Sequence, residues 1–256
     1  MSDQKPRRTH SSSHSRGCAI IVGAGTGTGA AVARLLSGEG HSVVLARRNH
    51  EQLSPLVRQI EAAGGRALAV AADAANEAQV AALFDQAQAA YGAPELVLFN
   101  AAGFLMRPLV ETSIEDFEQM WRTSALGGFV VGQQAAKRML KSAGGTILFA
   151  GATAAVKASP KFAAFASGKH GLRAVAESMA KELGPQGIHV AHVVIDGFID
   201  VPRVHEAMPE VVATKGKDAM IDPCSVASTF LWLHRQPRDA WTFELDLRPY
   251  CERWRH

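Results

Sequence analysis

From Cys18 onward the chain alternates short apolar runs with longer stretches whose apolar residues recur every three or four positions. The runs are CAIIVG, SVVLA, ALAVAA, LVLFN, GTILFA and IHVAHVVI. Continuous apolar runs of this kind suit strands covered on both faces, the condition of a parallel sheet. Between the first four runs lie GAAVARLLSGEG, NHEQLSPLVRQIEAAGG and NEAQVAALFDQAQAAYG, which carry helical spacing and have glycine near their ends. Longer helical patterns, over residues 113–140 and 161–183, follow the fourth and fifth runs. The alternation predicts one α/β domain over residues 17–256, a doubly wound parallel sheet with right-handed crossovers and helices on both faces.

A chain of 256 residues, 47% hydrophobic and 20% charged, is long enough to bury such a core. Residues 1–16 have neither the apolar stretch of a signal peptide nor enough apolar surface to fold, and are expected to be a disordered basic tail. Lys5, Arg7, Arg8 and Arg16 against Asp3 account for the whole formal charge of +3. The folded remainder is therefore neutral, which argues against a nucleic-acid face. No apolar run is long enough to span a membrane. Cys18, Cys224 and Cys251 are too widely spaced for a disulfide framework or a metal site, so no metal and a reducing, cytoplasmic setting are expected.

The first strand runs into VGAGTGTGAAVARLL, where Gly23, Gly27 and Gly29 precede and open a helix. Glycines there allow a tight turn and close approach of backbone N–H groups to a pyrophosphate, whose charge the helix N-terminus favours. The second strand ends in Arg47 and Arg48, where an NAD-binding chain would place an acid for the ribose. Two guanidinium groups instead suit a 2′-phosphate, so NADP(H) is the expected cofactor. Asp73, ending the third strand, suits either an adenine amino group or a turn, and Asn76 is placed to cap the next helix. Asn100 and Gly103, in NAAG after the fourth strand, fall at the crevice where ligands of such sheets bind.

Over residues 18–247 the glycine spacing, Asp73, NAAG, the lysine-bearing helix and ELGPQGIHV together resemble the short-chain dehydrogenase/reductase family. The resemblance implies a single-domain Rossmann-type enzyme moving a hydride between a nicotinamide and a small substrate. It implies cofactor contacts from Gly23, Gly25, Thr26, Gly27 and Thr28 in the glycine loop. Further contacts are implied from Arg47, Arg48, Asp73 and Ala74 at the ends of strands two and three, and from Asn100, Ala101 and Ala102 after strand four. Lys169, with Gly197 and Ile199 after strand six, completes the implied set.

The same resemblance places Phe165 and Lys169 at the family's YxxxK positions. The lysine keeps its implied role on the nicotinamide ribose; the phenylalanine has no proton to give. Ala152 stands where the family's serine is usual, and Ser124 where an asparagine supports the proton relay. Asp196 precedes Gly197 where a proline is usual. Thr153, Asp196 and His205 are alternative proton sources, although such a threonine more often caps a turn, an Asp before Gly more often forms one, and a histidine there is more often exposed without a role. Ser167 and His170 are expected to point off the catalytic face.

Phe104, Leu105, Met106, Trp121, Phe162 and Phe165 suit either a pocket for an apolar compound or core packing. Alanine-rich helix faces after strands four and five are implied to pair in a homodimer or homotetramer. The expected activity is that of an NADP(H)-dependent oxidoreductase on a small apolar carbonyl or alcohol, with an atypical proton relay. Reduction of a conjugated C=C bond and a catalytically inactive NADP(H)-sensing module are the alternatives.

Overall fold

All six apolar runs become strands, and a seventh strand joins them at the edge. In the computed structural model, which describes residues 16–252, β1 is Arg16–Val22, β2 His41–Arg47, β3 Arg66–Ala71 and β4 Pro94–Phe99. They are followed by β5 Gly145–Ala150, β6 Ile188–Ile195 and β7 Glu244–Leu247. Residues 1–15 of the expected tail lie outside the described residues. Every strand pair is parallel, in the order β3-β2-β1-β4-β5-β6-β7. The order reverses between β1 and β4, which opens a crevice at their carboxyl ends.

Helices α1 (Thr28–Gly38), α2 (Ser54–Ala62) and α9 (Pro223–His234) cover one face, while α3 (Glu77–Tyr91), α5 (Gly127–Met139) and α6 (Ala163–Leu183) cover the other. Alternate strand residues therefore enter opposite cores: Ala19 and Ile21 pack under α1 and α9, Cys18, Ile20 and Val22 under α3 and α5. That two-sided burial is why the strands read as unbroken apolar runs. Asn76 caps α3 as expected, accepting a bond from Gln79 N at 3.1 Å.

The pattern over residues 113–140 is not one helix. α4 (Ile114–Trp121) passes into a π-turn over Arg122–Leu126 before α5 begins. One inserted residue per turn is invisible to a three-and-four periodicity, yet such turns concentrate at functional sites. β7 also left no apolar run, because Glu244 and Asp246 alternate with Leu245 and Leu247 on an edge strand. α7 (Pro202–Ala207) and α8 (Pro209–Ala213) lie between β6 and α9. No helix among the described residues is long and apolar enough to cross a membrane.

At the amino ends of the strands, His234 leaves α9 with its ring edge-on to His41, and its Nδ1 meets Thr146 Oγ1 at 2.9 Å. Burial pushes His234 from the usual 6.5 down to about 4, and pushes His189, stacked on Trp241, in the same direction. The unfolded chain binds these protons at higher pH than the native protein does. Stability should thus be full above pH 6.5 and decline as pH falls from 6.5 towards 4, with about 3 kcal/mol at stake for His234. Urea denaturation across that range measures the decline, and His234→Gln should remove His234's share of it.

Candidate active site

The turn that ends β1 depends on glycine at position 23. Its φ is 86°, and a Cβ there would stand 2.4 Å from the backbone nitrogen of Ala101. The loop after β4 can therefore lie directly against the loop after β1. Asn100 fastens the two: its backbone N–H donates to Val22 O at 2.8 Å, and its Nδ2 donates to Gly23 O at 3.1 Å. α1 then starts at buried Thr28 with Gly27 as its N-cap, no capping side chain, and no acidic residue in the first turn. No side chain therefore neutralises the positive end of its dipole, an arrangement that suits an anion.

Arg47, at the end of β2, brings its guanidinium to this loop; a Cβ at Gly25 would lie 3.8 Å from Arg47 Nη1. Arg48 and Thr26 are exposed, and Ala74 is buried. Asp73 accepts from Ala75 N at 3.0 Å, the contact of a turn, and is half-buried beside the crevice. Ala101 is half-buried and Ala102 exposed. Beyond β6, Gly197 packs against Pro249, Ile199 bridges to Ile221, and Val201 reaches back to within 2.9 Å of where a Gly27 Cβ would be.

α6 carries Phe165 and Lys169 one turn apart. Lys169 is 4% exposed, and its Nζ donates to the carbonyl of Ala150, at the end of β5, over 2.9 Å. Burial pushes its ammonium down to about 8. Phe165 packs edge-on against Phe104 at 5.5 Å between ring centroids and lies 6.2 Å from Phe162. Phe104 and Phe162 meet at 5.8 Å, so three rings form one cluster whose outer member, Phe104, is 49% exposed. Ser124 is buried in the π-turn and faces the α6 backbone: a Cβ at Gly168 would lie 3.2 Å from Ser124 Cβ.

Two of the three alternative proton sources meet. Thr153 Oγ1 donates to Asp196 Oδ1 at 2.5 Å, and Asp196 Oδ2 lies 3.2 Å from Arg248 Nη1. Asp196 thus acts as an acceptor on both oxygens rather than standing alone. Arg248 was missed in the sequence because it reaches Asp196 only once β7 docks beside β6. His205 is instead 2.5 Å from Asp200, both exposed, on and next to α7. Ser167 bonds to Ala164 O and His170 to Ala166 O, both back along α6.

The chain is similar to known proteins. The family model described as short chain dehydrogenase matches residues 17–211. A crystal structure of a short-chain dehydrogenase from Rhodopseudomonas palustris is 41% identical, covering 91% of this chain and 99% of that one, with a TM-score of 0.79. A metagenomic short-chain oxidoreductase solved in complex with NADP is 26% identical, covering 93% and 99%, also at a TM-score of 0.79. A chloroplastic NADPH-dependent aldehyde reductase-like protein of Arabidopsis thaliana is 31% identical over 208 residues, 76% of this chain and 77% of that protein.

Because position 23 combines a left-handed backbone with contact against Ala101, Gly23→Ala should destabilise the fold by more than about 1 kcal/mol. A lowered thermal midpoint measures this, and an unchanged one would show that the two loops can part at no cost.

Proposed function

The chain belongs to the short-chain dehydrogenase family of oxidoreductases, and on that premise we propose that it is NADP(H)-dependent and acts on a small, apolar carbonyl or alcohol with Lys169 as the proton-carrying group. The observation that carries this reading is the buried Lys169 ammonium, held at the Ala150 carbonyl one turn from a phenylalanine. When bound, the nicotinamide supplies hydride chemistry; the chain must supply binding, orientation and the proton.

The fit for a dinucleotide rests on the glycine-dependent turn at position 23, the uncapped start of α1 and the guanidinium of Arg47 beside Gly25. Gly25, Thr26, Gly27 and Thr28 would hold the phosphates, and Arg47 with Arg48 the 2′-phosphate. Asp73 and Ala74 would meet the adenine; Asn100, Ala101, Ala102, Gly197 and Ile199 would border the nicotinamide half. The NADP bound to the metagenomic relative and the naming of the Arabidopsis relative as NADPH-dependent support the same choice.

A lysine ammonium has three donors, of which Ala150 takes one. The others serve ribose hydroxyls and the oxygen of the substrate. The hydroxyl of Thr153 is committed to Asp196, and Asp196 to Arg248, so Lys169, lowered to about 8, carries the readily exchanged proton of this pocket. Phe104, Phe162 and Phe165 give it an apolar wall. Apolar side chains at positions 152 and 165 also favour a second reading, reduction of a conjugated C=C bond, in which Lys169 would face the substrate oxygen and solvent would protonate carbon. Exposed Ile114, Phe117, Trp121 and Phe129, on and around α4 and α5, suit pairing with a second copy in a homodimer or homotetramer. Three free cysteines fit the cytoplasm.

Titration by intrinsic fluorescence should show NADPH binding more tightly than NADH. Arg47→Ala should lower that preference about tenfold or more, the worth of charge-assisted bonds to a phosphate, and more than Arg48→Ala does. Equal affinities in the wild type would refute NADP(H) specificity.

A proton donor must be protonated, so the rate of NADPH-driven reduction should fall as pH rises from 7 through about 8. Lys169→Met should weaken NADPH binding several-fold and lower the rate about 10²-fold or more. The measurement is NADPH oxidation against ketones, quinones and enones; no turnover of any class would leave the cofactor-sensing module as the better reading.

A further inference from the structure

Behind Lys169 lies a polar chain that the proposed reaction does not use. His192, on β6, has a fully buried side chain facing α6, and its Nδ1 is 2.9 Å from Glu244 Oε2 on β7. Arg173, one turn beyond Lys169 on α6, grips the same carboxylate twice, with Nε at 2.7 Å from Oε2 and Nη2 at 2.9 Å from Oε1. Burial pushes Glu244 up, but the bonds from Arg173 and His192 overcome it and leave the carboxyl below its usual range. An ionised carboxylate only accepts, so Nδ1 carries the imidazole proton and donates it.

That assignment leaves Nε2 with a lone pair, and Nε2 has no hydrogen-bond partner among the described residues. It is aimed at Gly151: a Cβ there would lie 2.4 Å from Nε2 and 2.5 Å from Cε1. Only glycine lets the ring reach this backbone, and the carbonyl one residue earlier, Ala150 O, holds Lys169. The contacts close a circuit, from Lys169 to Ala150, Gly151, His192, Glu244 and Arg173 and back along α6 to Lys169.

We propose that His192 is a positioning residue for Lys169: braced by Glu244 and Arg173, its neutral ring seats the Ala150–Gly151 turn whose carbonyl receives the lysine ammonium. The groups facing the ring are Glu244 from β7, Lys169 and Arg173 from α6, and the Gly151 backbone after β5, with Glu177 3.7 Å behind Arg173. Burial first, then the charges of Lys169 and Arg173, pushes His192 below the usual imidazole range against the pull of Glu244. Protonating the ring sets a further cation against Lys169 and unseats it.

The inference rests on the cofactor role given to Lys169, and two measurements separate them. In ¹⁵N-labelled protein, His192 should be the neutral Nδ1–H tautomer at pH 7 and should titrate at higher pH in Lys169→Met, where the opposing charge is gone. An imidazolium or an Nε2–H tautomer at pH 7, or an unchanged titration in Lys169→Met, overturns the proposal whether or not NADPH binds. In the second measurement, NADPH affinity of the wild type should weaken several-fold as pH falls below the usual imidazole range. His192→Asn retains an N–H towards Glu244 but cannot titrate, so its affinity should weaken less than that of the wild type, by the share that protonation of the 2′-phosphate causes in both. Identical pH dependence in the two proteins also overturns the proposal, whereas absence of NADPH binding in the wild type at every pH defeats the cofactor reading and leaves the tautomer and titration to decide the bracket.

Discussion

A parallel sheet covered by helices on both faces has room for polar chemistry only at its two ends. Each strand residue enters one of two apolar cores, and a polar group there must find a partner or lower the stability of the fold. The amino ends hold the cluster around His41 and His234. The carboxyl ends hold the glycine loop, Asn100, Thr153 and Asp196. Lys169 and His192 enter from the buried side of α6 and β6, where a backbone carbonyl takes the lysine ammonium and a carboxylate meets Nδ1 of the imidazole.

At the carboxyl ends, a phenylalanine stands one turn before the buried lysine of α6. Phe165 does not leave a gap, because Phe104 and Phe162 close around it. Among the polar side chains there are Lys169, whose ammonium burial pushes down to about 8, and the Asp196 carboxylate held by Thr153 and Arg248. The chain as a whole belongs to the short-chain dehydrogenase family. The crystal structure from Rhodopseudomonas palustris shares 41% of the sequence and nearly the whole fold.

The sequence by itself determined the six apolar strands, most of the helices between them, the cap at Asn76 and the turn at Gly23. Each depends on local periodicity or on the backbone needs of a single residue. It also placed Lys169 and Phe165 on one helix face, since i, i+4 spacing is a local property. Tertiary structure alone decided the π-turn around Ser124, where close packing of α6 at Gly168 accompanies an extra residue that no periodicity reveals. It alone brought Arg248 to Asp196 and Glu244 to His192 and Arg173, because β7 alternates polar and apolar letters and its partners are distant in sequence. Those contacts arise from the docking of one edge strand, and no short stretch of the chain contains both halves of any of them.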